Sequence, residues 1–201
     1  NDLVHQGKVL YIGSSTYPAW LVMEALAISE RYGWARFATE QPPYNLLDRR
    51  IENELVPLAM RYQLGLIPWS PLAMGVLAGR YERVEQLPVD SRAARIGWLA
   101  EGRVTERGIA VARELAQIAG QINLTPSQLA LLWVKEQPGI TSPIIGPRTE
   151  AHLDDQLAVA GMRLDAEIVA SLDKLVPPGS AVANFHNNSG WMKMQLVWDN
   201  A

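Results

Sequence analysis

The sequence has no cysteine, no apolar run long enough to cross a bilayer, and no block of basic side chains. The first absence removes disulfides, thiolate nucleophiles and cysteine-type metal sites and fits a reducing compartment, so a cytoplasmic location is expected. The second and third remove the usual signs of a membrane or nucleic-acid partner: 18 basic residues against 21 acidic ones leave a net charge of −3 with no cationic stripe. Histidine is scarce as well. His5, His152 and His186 fit no metal-ligand spacing, and no Ser-His-Asp arrangement follows from them. The chain also opens without methionine, on NDLVHQGK, which reads as the last turn of a helix closing at Gly7. A segment upstream is therefore expected.

What is present is a globular composition. Of 201 residues, 48% are hydrophobic and 19% charged, enough for a substantial core in one domain or a large piece of one. Strand-length apolar runs alternate with helix-length amphipathic segments. KVLYIGSS (residues 8–15) precedes AWLVMEALAISERYG, a helical pattern closing on Gly33. ARFATEQPPYN (35–45) is the second strand, and its helix is DRRIENELVPLAMRYQL, with Asp48 as N-cap and Pro57 as a kink. LGLIPWSPL (64–72) is the third. Residues 73–103 carry Gly, Arg and Pro without a sustained period, longer than an ordinary connection and hence a candidate functional loop. Two helical segments follow, the second opening on Thr125 as N-cap with Pro126 at its first position. ITSPIIG is the fourth strand, TEAHLDDQLAVAG its helix and DAEIVASLDKLV an extra helix. Residues 1–176 thus read as successive β/α units and residues 177–201 as a tail; such a succession predicts parallel strands joined by right-handed crossovers.

Each strand ends in small or polar residues: Gly13 to Thr16, then Glu40 and Gln41 with Tyr44 and Asn45, then Trp69 to Leu72, then Gly146 to Thr149. In parallel α/β folds the ligand sits at the carboxyl ends of the strands, so these clusters should face one site. Arg148 beside Thr149, at the start of a helix, combines a planar fork of donors with a hydroxyl and a free amide. That combination suits an anion.

The motifs GKVLYIGSST, EQPPYN, PWSPLAMGVLAGRY and PIIGPRTEAHLDDQL, in this order and spacing, resemble the carboxyl-terminal part of the aldo-keto reductases, including the branch that contains potassium-channel β subunits. The resemblance covers nearly the whole chain. It implies an α/β fold: the C-terminal half, strands five to eight, of an NADP(H)-binding (β/α)8 TIM barrel that reduces aldehydes or ketones. Carried over by position, it implies that Ser15 and Gln41 hold the nicotinamide carboxamide, with Thr16 standing where Asn is usual. Trp69 takes the place of the ring stacked on the nicotinamide; a Trp in the core beside two prolines is the alternative. Ser70, Leu72, Gly75, Leu77 and Gly79 resemble the loop around the pyrophosphate. Gly146, Arg148 and Thr149 match the segment that reads the 2′-phosphate of the adenosine ribose, implying NADP over NAD. Surface pairing of Arg148 with Asp154 or Asp155 is the alternative there. His152 and Gln156 lie near the adenine position and differ from the usual residues.

The tetrad of Asp, Tyr, Lys and His used by that family lies on its first four strands, and no position here matches it, so no catalytic residue is assigned. Tyr11 reads as strand core, Tyr17 and Tyr44 as strand-end residues and Tyr81 as loop; Lys135 and Lys174 read as helix-surface charges and Lys8 as a strand-edge cation. Phe185 and Trp191 either line the substrate opening or dock on the barrel exterior. Four parallel strands alone would leave edges unpaired, so the expected partners are a missing N-terminal half-barrel or a second copy, besides a small carbonyl substrate. Three functions compete: the cofactor-holding part of a reductase, a nucleotide-sensing subunit without activity, or an unrelated phosphate-binding barrel enzyme.

Overall fold

The computed structural model describes residues 1–97 and 101–186. Within them, β1 (Ile12–Ser15), β2 (Phe37–Gln41) and β3 (Gly65–Leu66) form a parallel sheet in the order β1-β2-β3. Gly13 faces Thr39 across the β1/β2 pair, and a Cβ at residue 13 would lie 2.8 Å from the Thr39 carbonyl oxygen. No side chain fits there.

The third and fourth predicted strands are shorter than their apolar runs because prolines remove ladder donors. Beyond β3 the chain stays in register through Ile67 N–H to the Glu40 carbonyl (3.0 Å) and Trp69 N–H to the Pro42 carbonyl (2.9 Å). The fourth segment joins as a parallel bridge from Leu66 to Ile140, extended by the Ile144 amide on the Pro68 carbonyl at 2.8 Å. Pro143 and Pro147 interrupt the rest. The succession of segments across the sheet therefore follows chain order.

Helices cover the sheet. Those described are α1 (Asp2–His5), α2 (Ala19–Tyr32), α3 (Leu55–Tyr62), α4 (Arg92–Arg95), α5 (Glu106–Gln121), α6 (Pro126–Glu136), α7 (Glu150–Leu157) and α8 (Ala166–Leu175). α2 packs on β2, α5 on α6 and α8, and α6 on α7. α6 starts with a full capping box: the Gln128 amide donates to Thr125 Oγ1 and the Thr125 amide to Gln128 Oε1. Its residues 129–134 are all buried, so this helix lies inside the protein rather than on its face. Among the described residues no helix is long and apolar enough to cross a membrane.

Three local expectations are corrected. Asp48 caps no helix: a short 3-10 turn (Arg50–Glu52) precedes α3, and the Asp48 carboxylate is buried. Pro57 does not kink α3, because it lies in the first turn, where its missing N–H has no partner to lose. Tyr11 is not core but 80% exposed, since β1 begins only at Ile12.

Asp48 and Arg49 fasten the carboxyl-terminal segment to this frame. Asp48 receives Arg50 Nε (2.8 Å) and Nη2 (2.6 Å) and the amides of Phe185 (2.8 Å) and His186 (3.0 Å). Arg49 donates to Glu52 (2.7 Å), to Asp173 (2.6 Å) on α8 and to the Val176 carbonyl (2.7 Å), with its guanidinium 5.0 Å above the Trp133 ring. Removing one partner of such a buried network leaves charge unpaired. Asp48→Ala should lower stability by about 3 kcal/mol, read as a lower urea midpoint at unchanged slope; a loss within about 0.5 kcal/mol, the range of neutral surface changes, would contradict this account.

Candidate functional site at the carboxyl ends of the strands

The first two rim clusters meet the third. The Ser15 hydroxyl donates to the Gln41 carbonyl at 3.0 Å and lies 3.2 Å from Thr16 Oγ1. Thr16 leaves β1 in the left-handed region (φ 63) and is 1% exposed. This turn aims its hydroxyl at Trp69, whose Nε1 donates to it at 3.4 Å. Trp69 is half-buried, so the core-Trp alternative does not describe it. Ser15, Thr16, the Gln41 carbonyl and Trp69 are thus joined in one run of hydrogen bonds, with the indole edge on the Thr16 hydroxyl. Asn45, fully buried, braces it from below by donating to the Ser70 carbonyl at 3.2 Å.

Glu40 stands under the same rim with no exposed surface, and its Oε1 accepts the Tyr17 amide at 3.0 Å. Burial pushes its carboxyl above the ordinary glutamate value, opposed by Ser14 and by the backbone at Tyr17 and Thr16.

The loop after Trp69 is tightly wound. Ser70, Ala73, Met74, Gly75 and Gly79 all have positive φ, a density that gives Gly75 and Gly79 their reason. The amides of Gly75 and Leu77 donate to the Leu72 carbonyl and that of Gly79 to the Val76 carbonyl, so these three groups hold the shape of the loop itself. The Leu77 side chain is core, and Leu72 packs beside it.

Arg148 is exposed and donates Nη1 to the Asp90 carbonyl at 3.2 Å, in place of the pairing with Asp154 or Asp155. Arg80 binds the Asp90 carboxylate and, with Arg148 as a lesser contribution, holds it below its usual range. Two guanidinium groups therefore converge on one loop residue; the local sequence marks Arg80 only by its place directly after Gly79. Thr149 caps α7, accepting the His152 amide at 3.2 Å. His152 is exposed, whereas Gln156 is buried with an Oε1 that has no partner. Gly146 lies on the exposed approach to this helix.

The tyrosines do other work. Tyr44 is buried with its hydroxyl on Glu52 at 2.6 Å, and burial followed by that carboxylate raises its pKa; Tyr81 donates to the Met74 carbonyl at 3.0 Å. Lys135 is not a free surface charge, since it bonds Glu136 and the Met162 carbonyl (2.9 Å). Phe185 is fully buried and so lines no opening, while Trp191 lies outside the described residues. Arg103, absent from the sequence selection, lies against the Trp69 ring at 5.5 Å. Among the described residues no group of three or more His, Asp or Glu side chains could hold a metal ion.

Parallel strands in chain order, alternating with helices, define an α/β protein. Residues 1–177 match the aldo/keto reductase family, and the chain belongs to it. It is 34% identical over 177 residues to "Uncharacterized oxidoreductase YrpG" of Bacillus subtilis (strain 168), covering 88% of this chain and 52% of that protein. It is 31% identical to "Versiconal hemiacetal acetate reductase" of Aspergillus parasiticus, over 89% of this chain and 51% of the relative. A "Probable voltage-gated potassium channel subunit beta" of Oryza sativa subsp. japonica is 32% identical over 88% of this chain and 55% of its own length. The chain spans about half the length of these curated relatives.

The buried Glu40 gives a test of the rim. Because the folded protein holds this proton more tightly than the unfolded chain, stability should fall as pH rises from the ordinary glutamate value through the higher native one. Glu40→Gln keeps an acceptor for Tyr17, so it should add about 1 kcal/mol at neutral pH and remove that decline in urea titrations. An unaltered pH profile would mean that Glu40 carries no burial penalty.

Proposed function

We propose that this chain is the cofactor-holding portion, corresponding to strands five to eight of a (β/α)8 barrel, of an NADP(H)-dependent aldo-keto reductase that converts aldehydes or ketones to alcohols. The observation that carries the reading is the convergence of Ser15, Thr16, Gln41 and Trp69 on one rim, a ring edged by hydrogen-bonding groups. Such a patch suits a flat carboxamide-bearing ring, which is what a nicotinamide presents. Bound cofactor would supply hydride chemistry, and the residues of this chain would bind and orient it.

Two further features support the fit. Gln156, near the end of α7, keeps a buried, unpartnered oxygen, and a buried acceptor of this kind calls for a donor. Arg148 and Arg80 face the same loop with donors of the geometry that phosphates take. The chain has no assigned proton donor for the carbonyl, so turnover would need residues beyond this half, supplied by an N-terminal half-barrel or by another copy. A sensing role without turnover is the second reading, favoured by the similarity to the rice protein named as a channel β subunit.

Fluorescence titration of the 201-residue chain with NADPH and NADH tests the assignment. Arg148→Ala should weaken NADPH binding by about 1–3 kcal/mol, the usual scale of charge-assisted hydrogen bonds, and NADH binding by less. Equal losses for both would remove the 2′-phosphate from the proposal. Aldehyde reduction by this chain alone would overturn the division of labour between the two halves.

A further inference from the structure

Arg49 and Arg103 are equally enclosed, each 2% exposed, yet the protein treats them differently. Arg49 has two carboxylates and a carbonyl within hydrogen-bond distance. Arg103 has none of these among the described residues: its Nε lacks a partner, and its Nη1 reaches the thioether sulfur of Met74 at 4.0 Å. Two aromatic rings lie against it. Its guanidinium lies 5.5 Å from the centre of the Trp69 ring and 5.5 Å from that of Phe185. A buried cation stacked on rings, with no counter-ion among the described residues, projects its field through them. Burial and the neighbouring Arg92 both disfavour its charge, but a guanidinium stays protonated near neutrality.

Trp69 is consequently loaded on one side. Its edge is fixed by Thr16 and one face by Arg103, while the half-exposed ring leaves room for a flat ligand. A ring stacked on the other face would sit on the order of 9 Å from the guanidinium, with only an indole between, where water screens little. The oxidised nicotinamide ring is a cation and the reduced ring is neutral. Both the direct repulsion and the competition for one indole quadrupole act on the oxidised form alone.

We propose that Arg103 is a selectivity residue that makes this site favour reduced over oxidised nicotinamide cofactor by placing behind the Trp69 platform a positive charge that no acidic group among the described residues pairs with. The inference rests on the reading of Trp69 as the nicotinamide platform. Glu40 is the acidic group under the same rim, bonded to the Tyr17 amide. It stays constant when Arg103 is varied, so its opposing field drops out of the comparison.

The experiment measures dissociation constants of NADPH and NADP+ by calorimetry for the 201-residue chain and for Arg103→Met, Arg103→Lys and Trp69→Leu. The unaltered chain should bind NADPH more tightly than NADP+. Arg103→Met should narrow that ratio by about three- to tenfold, chiefly through tighter NADP+ binding, as removal of one charge at this distance implies. Arg103→Lys, which keeps the charge, should hold the ratio. A ratio near unity in the unaltered chain would overturn the proposal even if Arg103→Met fails to fold, and so would equal weakening of both cofactors in Arg103→Met. Failure of the platform reading looks different: either neither cofactor binds, or Trp69→Leu leaves both constants unchanged.

Discussion

Two adjacent buried charges, Asp48 and Arg49, determine how the rest of this chain closes. They stand in the segment between β2 and α3, and each reaches more than a hundred residues along the sequence: Asp48 to the amides of Phe185 and His186, Arg49 to Asp173 and the Val176 carbonyl. Ions in a protein interior persist only when their partners are numerous and well aimed. The pair meets that condition with carboxylates, guanidinium groups and backbone together, and so ties α8 and the segment after it to the 3-10 turn before α3.

The rim inherits its shape from that closure. Phe185, held through its amide by Asp48, forms one wall around Arg103, and Arg103 in turn backs the indole of Trp69. A residue in the carboxyl-terminal segment therefore helps to orient a ring that emerges from the third strand. From the other side, Asn45 and Thr16 fix the Ser70 carbonyl and the indole edge. The platform is thus set by contacts from four separate parts of the chain, none of them neighbours in sequence.

The features that could be read from the sequence were those with a local cause. The helix at 126–136 follows from Thr125, Pro126 and Gln128, and the αL stop at Gly33 from its lack of a Cβ. The alternation of strands and helices likewise rests on short-range period. Asp48 was misread because a carboxylate before a helical pattern looks the same whether it caps the next turn or binds amides 137 residues away. Tyr11 was misread because apolar period does not say where pairing begins. Arg80 and Arg103 are not legible in the sequence for the same reason: an isolated arginine in an irregular stretch has no local signature, and only tertiary packing reveals what it faces.

Gly13 carries a consequence of another order. Its neighbour across the strand pair is a backbone oxygen, 2.8 Å from where a methyl would stand, and a main chain in a sheet has no rotamer with which to step aside. Alanine, the mildest possible replacement, would already have to pry the first two strands apart and with them the Ser15 hydroxyl from the Gln41 carbonyl and the Thr16 hydroxyl from the indole. The alphabet at this position therefore has one letter: the helices around the sheet tolerate rewriting, but a chain that keeps this strand pair must keep the hydrogen atom at residue 13.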